Sequence, residues 1–216
     1  MIELLGQPLT AALLGGLGGV LLGLAARLGR FCTMGAIEDL LYGGSSHRMR
    51  MWGLAIGVAM LGSFTLGGFG LINIDRAFHL TIAFSWAPAI FGGLIFGYGM
   101  ALAGTCGFGA LARLGGGDLR AFVIVLVMGL AAFAVLSGPL APARAFLFPR
   151  QLNAGPPDGI AHTLSALTGG SVPMIGVALG LVICALMLSA RSFRRDFRMV
   201  FWSVIAGLAI VSGWAG

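Results

Sequence analysis

What most constrains this chain is a succession of apolar stretches about as long as a bilayer is thick, separated by short segments that hold nearly all of its charge. A hydrocarbon core of about 30 Å takes roughly 20 apolar residues per helix. The stretches run Leu9 to Leu28, Met51 to Ile72, Ala87 to Thr105, Leu119 to Ser137, Val172 to Leu188 and Val200 to Trp214, the last being short for a full crossing. Charged residues make up only 9% of the chain and mean hydropathy is +1.00. Soluble domains carry about 25% charged residues, so a water-soluble fold is excluded. The expected fold class is an all-α polytopic membrane protein with about six apolar helices, forming one membrane domain over residues 1–216.

The formal net charge is +6, and all thirteen basic residues are arginines placed between the apolar stretches. That pattern speaks of topology and not of a nucleic-acid partner. With one crossing per stretch, ten arginines fall on one side: Arg27, Arg30, Arg48, Arg50, Arg113, Arg120, Arg191, Arg194, Arg195 and Arg198. Arg76, Arg144 and Arg150 fall on the other. The positive-inside rule then places the arginine-rich side in the cytoplasm and the N-terminus outside. Three cysteines, an odd number, do not suggest a secreted disulfide framework. The opening MIELLGQP lacks the basic region of a cleavable signal. Residues 138–171 are expected as an outer loop, too proline-rich for one continuous helix, with a short interfacial helix near Gly159 to Leu167.

An internal repeat organises the first half. A shift of 74 positions lays Cys32 on Cys106, Gly18, Gly19 and Gly23 on Gly92, Gly93 and Gly97, and Gly35 and Ala36 on Gly109 and Ala110. Leu28, Leu40 and Gly43 fall likewise on Leu102, Leu114 and Gly117. The units cover about residues 9–45 and 87–119, each a glycine-rich helix, a cysteine, a short segment and a glycine-rich turn. Such repeats build many transporters. Glycines also recur every fourth position at Gly15, Gly19 and Gly23, at Gly53 and Gly57, at Gly93 and Gly97, and at Gly176 and Gly180. Faces of this kind let helix backbones approach closely.

The cysteine segments, RFCTMGAIEDLLYGG from Arg30 and GTCGFGALARLGGG from Gly104, each begin a piece too short to cross the bilayer. Broken backbone is tolerated at membrane depth where it is buried in protein or lines a polar cavity. Short re-entrant half-helices after Cys32 and Cys106 would turn their N-terminal N–H groups toward the cysteines, an arrangement that favours an anion. A thiol is a weak donor with a polarizable sulfur, suited to holding a soft anion without trapping it. Arg30 and Arg113 would raise the local anion concentration. Gly35, Gly104, Gly107 and Gly109 complete the candidate pathway, whereas Cys184 in VICALM has no repeat mate and reads as a small apolar packing residue. Glu38, Asp39 and Asp118 are weaker candidates. His47, His79 and His162 show no metal-ligand spacing with the cysteines, and no phosphate-binding loop or dinucleotide fingerprint is present, so no metal or cofactor is expected.

The stretches RLGRFCTMGAIEDLLYGG, FGGLIFGYGMALAGTCGFGALARLGGG from Phe91 and, more weakly, FRMVFWSVIAGLAIVSGW from Phe197 resemble the YeeE/YedE family of bacterial inner-membrane sulfur transporters, whose characterised members take up thiosulfate. The resemblance implies an hourglass-shaped helical protein in which thiosulfate passes along cysteines at a central constriction through S–H···S hydrogen bonds. Cys32 and Cys106 match the first two of those cysteines, and Cys184 matches none. It also implies a small cytoplasmic sulfur carrier of the TusA type as a partner. Full-length members continue into a second half with another glycine-cysteine motif. The pore is therefore expected to be completed by further sequence, by a second polypeptide or by another copy of this chain.

Two other readings stay open from the residues. One is a membrane thiol oxidoreductase or sulfurtransferase in which Cys32 and Cys106 cycle through a disulfide or persulfide. The other is a membrane scaffold with buried cysteines.

Overall fold

The computed structural model describes residues 7–74, 80, 85–148 and 159–214, and among them every regular element is a helix. In chain order these are α1 (Gln7–Leu28), α2 (Thr33–Leu41), α3 (His47–Gly68), α4 (Trp86–Ala103), α5 (Gly107–Gly115), α6 (Leu119–Leu136), α7 (Ala141–Leu147), α8 (Ile160–Thr168), α9 (Val172–Leu188), α10 (Arg191–Arg195) and α11 (Phe197–Ser212). The six apolar helices α1, α3, α4, α6, α9 and α11 fall on the six stretches expected. The chain is an all-α polytopic membrane protein. Its elements form two compact units, α1–α3 with α8–α11, and α4–α7.

In the first unit α3 lies at the centre, packed against α9 and α11, and α11 also packs against α1. Small residues make this possible. A Cβ on Gly57 of α3 would stand 3.2 Å from the carbonyl of Gly180 in α9, and one on Gly180 would stand 3.1 Å from the carbonyl of Gly57. Glycine faces thus bring α3 and α9 into backbone contact. On α11, a Cβ on Gly207 would meet the Ala55 carbonyl at 2.8 Å. Met51, Leu54, Ala55 and Ala206 are almost wholly buried at these contacts. The matching glycines of α1 (Gly15, Gly19 and Gly23) and of α4 (Gly93 and Gly97) meet no atom within 4 Å among the described residues.

α3 begins four residues before the apolar run, because the two arginines that hydropathy would exclude both have partners. Arg48 Nε lies 3.2 Å from Asp39 Oδ2. Arg50 Nη1 donates to the carbonyls of Leu186 and Met187, each at 3.1 Å, at the end of α9. Arg198 Nε similarly donates at 3.1 Å to the carbonyl of Leu28 at the end of α1. The last carbonyls of a helix have no intrahelical donor and carry partial negative charge, so a guanidinium satisfies both needs. These bonds, with His47 Nε2 at 3.1 Å from Ser192 Oγ, gather Arg27, Arg30, Arg48, Arg50, Arg191, Arg194, Arg195 and Arg198 at one end of the unit.

Among the described residues of the segment 138–171 are two short helices. α7 is tied back to α6 by Arg144 Nε, which donates at 3.1 Å to the Val135 carbonyl. α8 falls on the short helix expected there, and it meets α9 at a bend of 116° across the turn at Gly169. Arg76, His79, Arg150, Pro149, Pro156 and Pro157 lie outside the described residues.

Both cysteine segments interrupt a long helix. α1 with α2 forms one candidate span, Ala11–Leu41, and α4 with α5 another, Trp86–Gly115, each interrupted at its cysteine segment without the sharp bend that separates α8 from α9. The breaks share a left-handed residue at the same repeat position: Arg30 with φ 55° and Gly104 with φ 63°. That conformation costs an L-residue roughly 1–2 kcal/mol and glycine nothing.

Two outcomes follow for stability. Gly180→Val should lower it by about 1–3 kcal/mol through overpacking at the α3 contact, seen as a lower thermal midpoint in detergent, while Gly19→Ala in the isolated chain should leave the midpoint in place. Gly104→Ala should cost about 1 kcal/mol although its Cβ meets no atom, and Arg30→Gly should not destabilise; a midpoint unchanged by Gly104→Ala would contradict the backbone assignment.

Candidate functional site

Each cysteine is the N-cap of a nine-residue helix. Cys32, extended at φ −148° and ψ 129°, precedes α2. Cys106, extended at φ −85° and ψ 163°, precedes α5. The sequence favours these starts because the chain leaves a long helix through a left-handed turn, and an extended residue then redirects it into a new helix. Each N-cap heads a helix whose first N–H groups have no carbonyl partner within the helix and where the helix dipole is positive, and at Cys106 the sulfur stands beside one of them.

The two stations lie in different units, and each has its own construction. At the second, Cys106 is 4% exposed and its Sγ accepts a hydrogen bond from Gly109 N at 3.2 Å. Thr105, also buried, donates its hydroxyl to the Cys106 carbonyl at 3.3 Å. Gly107 lies close under Met128, since a Cβ there would stand 3.2 Å from its sulfur and push the thioether aside by a few tenths of an ångström. Cys106 opens on a cavity of about 510 Å³ whose walls include Phe96, Met100, Thr105, Val127 and Met128. The lining is almost wholly apolar, so the thiol, the Thr105 hydroxyl and the two thioether sulfurs are its soft or polar features.

At the first station Cys32 is partly buried and makes no capping bond with its side chain. Side chains from α3 and α11 hold the segment instead. Phe31 is 5% exposed and stacks on Trp52 with ring centroids 4.4 Å apart. Gly29 sits against Trp202, and the Arg48 guanidinium fills the space beside Gly35 in the first turn of α2. The Phe31 amide bonds back to the Ala25 carbonyl at 3.2 Å.

The structure therefore brings Arg30, Cys32 and Gly35 together at one break, and Gly104, Cys106, Gly107 and Gly109 at the other. Arg113 lies in the last turn of α5, exposed, at the far end of that helix from Cys106. Glu38 is exposed, Asp39 is engaged by Arg48, and the Asp118 carboxylate caps α6 through Arg120 N at 3.0 Å. Cys184 packs its sulfur into the space a Cβ on Gly57 would need, which makes it a filler between α9 and α3. Sequence reasoning passed over Arg48, Trp52 and Met128. Arg48 was legible only as a topological charge, and Met128 only as part of an apolar run.

Set beside known proteins, residues 28–214 match the family described as sulphur transport. The chain is 33% identical over 105 residues to the thiosulfate transporter TsuA of Escherichia coli strain K12, a match covering 49% of this chain and 28% of that relative. It is 30% identical over 120 residues to the thiosulfate transporter TsuA of Spirochaeta thermophila, covering 56% of this chain and 35% of that relative. The aligned part is thus the smaller share of both relatives. With a match over most of its length, two cysteine-capped half-helices and an all-helical membrane architecture, the chain belongs to the sulphur-transport, or YeeE/YedE, family.

Proposed function

We propose that the chain carries part or all of a pathway that moves thiosulfate or a closely related sulfur anion across the bacterial inner membrane, with Cys32 and Cys106 as stations. The observation that carries this reading is that each cysteine is the N-cap of a nine-residue helix at an interruption within a candidate membrane span. A helix N-terminus at such a break offers an anion positive potential and N–H groups with no carbonyl partner in the helix, and transporters place ligand sites at discontinuous helices of this kind. The thiol adds a weak donor and a polarizable surface matched to the terminal sulfur of thiosulfate. Weak contacts suit passage, because an anion held too firmly does not leave.

In this reading Gly35, Gly104, Gly107 and Gly109 keep the breaks narrow, and Arg30 and Arg113 raise anion concentration at the ends of the path. The arginine-rich end faces the cytoplasm by the positive-inside rule, with the N-terminus outside. Further sequence, a second chain or another copy completes the pore, and a sulfur carrier of the TusA type receives the cargo. The relatives that support the reading are named as transporters, which favours passage over thiol redox chemistry or sulfur transfer.

Labelled thiosulfate uptake should be measured in cells that have no other thiosulfate uptake, with this chain expressed as it is. Wild type should accumulate label, and Cys106→Ala and Cys32→Ala should each lower uptake about tenfold or more, on the scale of losing one well-placed polar contact, with membrane content unchanged. Wild-type uptake by Cys106→Ala would overturn the role of the cysteines. Uptake by Cys184→Ala should stay normal.

A further inference from the structure

Arg48 brings a cation from another helix against the half-helix that Cys32 caps. Its guanidinium occupies the space a Cβ on Gly35 would take, and that space is 3.8 Å from the Cβ of Cys32. Its Nε is held by Asp39 at 3.2 Å, one turn farther along α2 from Gly35. Gly35 is buried, so the guanidinium lies over the half-helix and is not extended into solvent. Arg48 belongs to the first turn of α3, the central helix of its unit. The contact thus ties the cysteine-capped half-helix to the most firmly packed element nearby.

We infer that Arg48 is the positioning residue of the Cys32 station, holding α2 through Asp39 and setting a positive potential at the thiol. The inference rests on the proposed transport role for its meaning in the cycle, but the electrostatic arrangement stands apart from transport. Asp39 orients the guanidinium and offsets part of its charge. Gly35 is glycine because any side chain there would displace Arg48. The 74-residue shift lays Phe122 on Arg48 and Arg113 on Asp39, so the second station has no such strap and carries its cation on the half-helix itself.

The test compares, at Cys32, the modification rates by an anionic and a cationic methanethiosulfonate reagent of similar size, with mass spectrometry locating the adduct on purified full chain. Relative to wild type, Arg48→Gln should lower the anionic-to-cationic rate ratio about tenfold, as expected when one nearby charge is removed. Gly35→Ala should lower it similarly while keeping the arginine. Arg48→Lys should keep the ratio within about twofold, and Asp39→Asn should raise it. The same ratio at Cys106 should not move in any variant. In uptake, Arg48→Gln should raise the thiosulfate KM more than it lowers the maximal rate, and Arg48→Lys should restore most of the KM. A ratio at Cys32 unchanged in Arg48→Gln, or lowered equally at Cys106, overturns the inference. Absence of uptake by wild type, with the ratio behaving as described, would overturn the transport reading alone.

Discussion

Both stations depend on one constraint: a helix that stops within a membrane protein must find new partners for the amides and carbonyls it leaves unbonded. α1 hands its Leu28 carbonyl to Arg198 and turns the Phe31 amide back to Ala25. α4 exits through Gly104, and the following helix recovers one N–H through the sulfur of Cys106. A thiol is a weak acceptor compared with the serine, threonine, aspartate or asparagine that usually occupies an N-cap. Placing cysteine there leaves the helix N-terminus less completely satisfied than it would be with those residues. That unmet demand is what an incoming anion can answer.

The two breaks meet this demand by different means. In the second unit the machinery is local: Thr105, Cys106 and Gly109 bond within the segment, and Met128 closes on Gly107 from α6. In the first unit it is delivered from far along the chain, by Trp52 and Arg48 of α3 and by Trp202 and Arg198 of α11. Such scaffolding explains how arginine persists at the left-handed position that the other repeat gives to glycine. A residue in that conformation costs free energy and survives only where its surroundings over-determine it.

Much of the fold was legible because the strongest forces act on long windows. Hydropathy alone located the six apolar helices, and Val172 to Leu188 agrees to the residue because Pro173 and Ser189 punctuate it. The repeat disclosed the two interruptions through Cys32 and Cys106, since the same turn chemistry recurs at the same spacing. Other features depend on partners that no local window contains. Helix α3 starts at His47, four residues before its apolar stretch, because Asp39 and the end of α9 supply partners to Arg48 and Arg50. Glycine recurs every fourth residue in both α1 and α3, yet among the described residues it is α3 that meets a facing glycine, in α9. Spacing announces that a helix can be approached closely; it does not say by what.

The repeat also shows how one electrostatic plan can be written with opposite residues. Arg113 sits in the last turn of α5, where a cation is favoured by the helix dipole. Its counterpart in α2 is Asp39, a carboxylate near the unfavourable negative end of a helix. Arg48 resolves the conflict by pairing with Asp39 while lying over Gly35. Each half-helix therefore presents a sulfur at its positive end and a guanidinium along its length or at its close, once from its own sequence and once by recruitment from α3. Reading charges at matched positions would have suggested opposite electrostatics for the two stations. Tracing where each charge is satisfied gives them a common sign, because a carboxylate that captures an arginine brings to the helix the cation that its own sequence lacks.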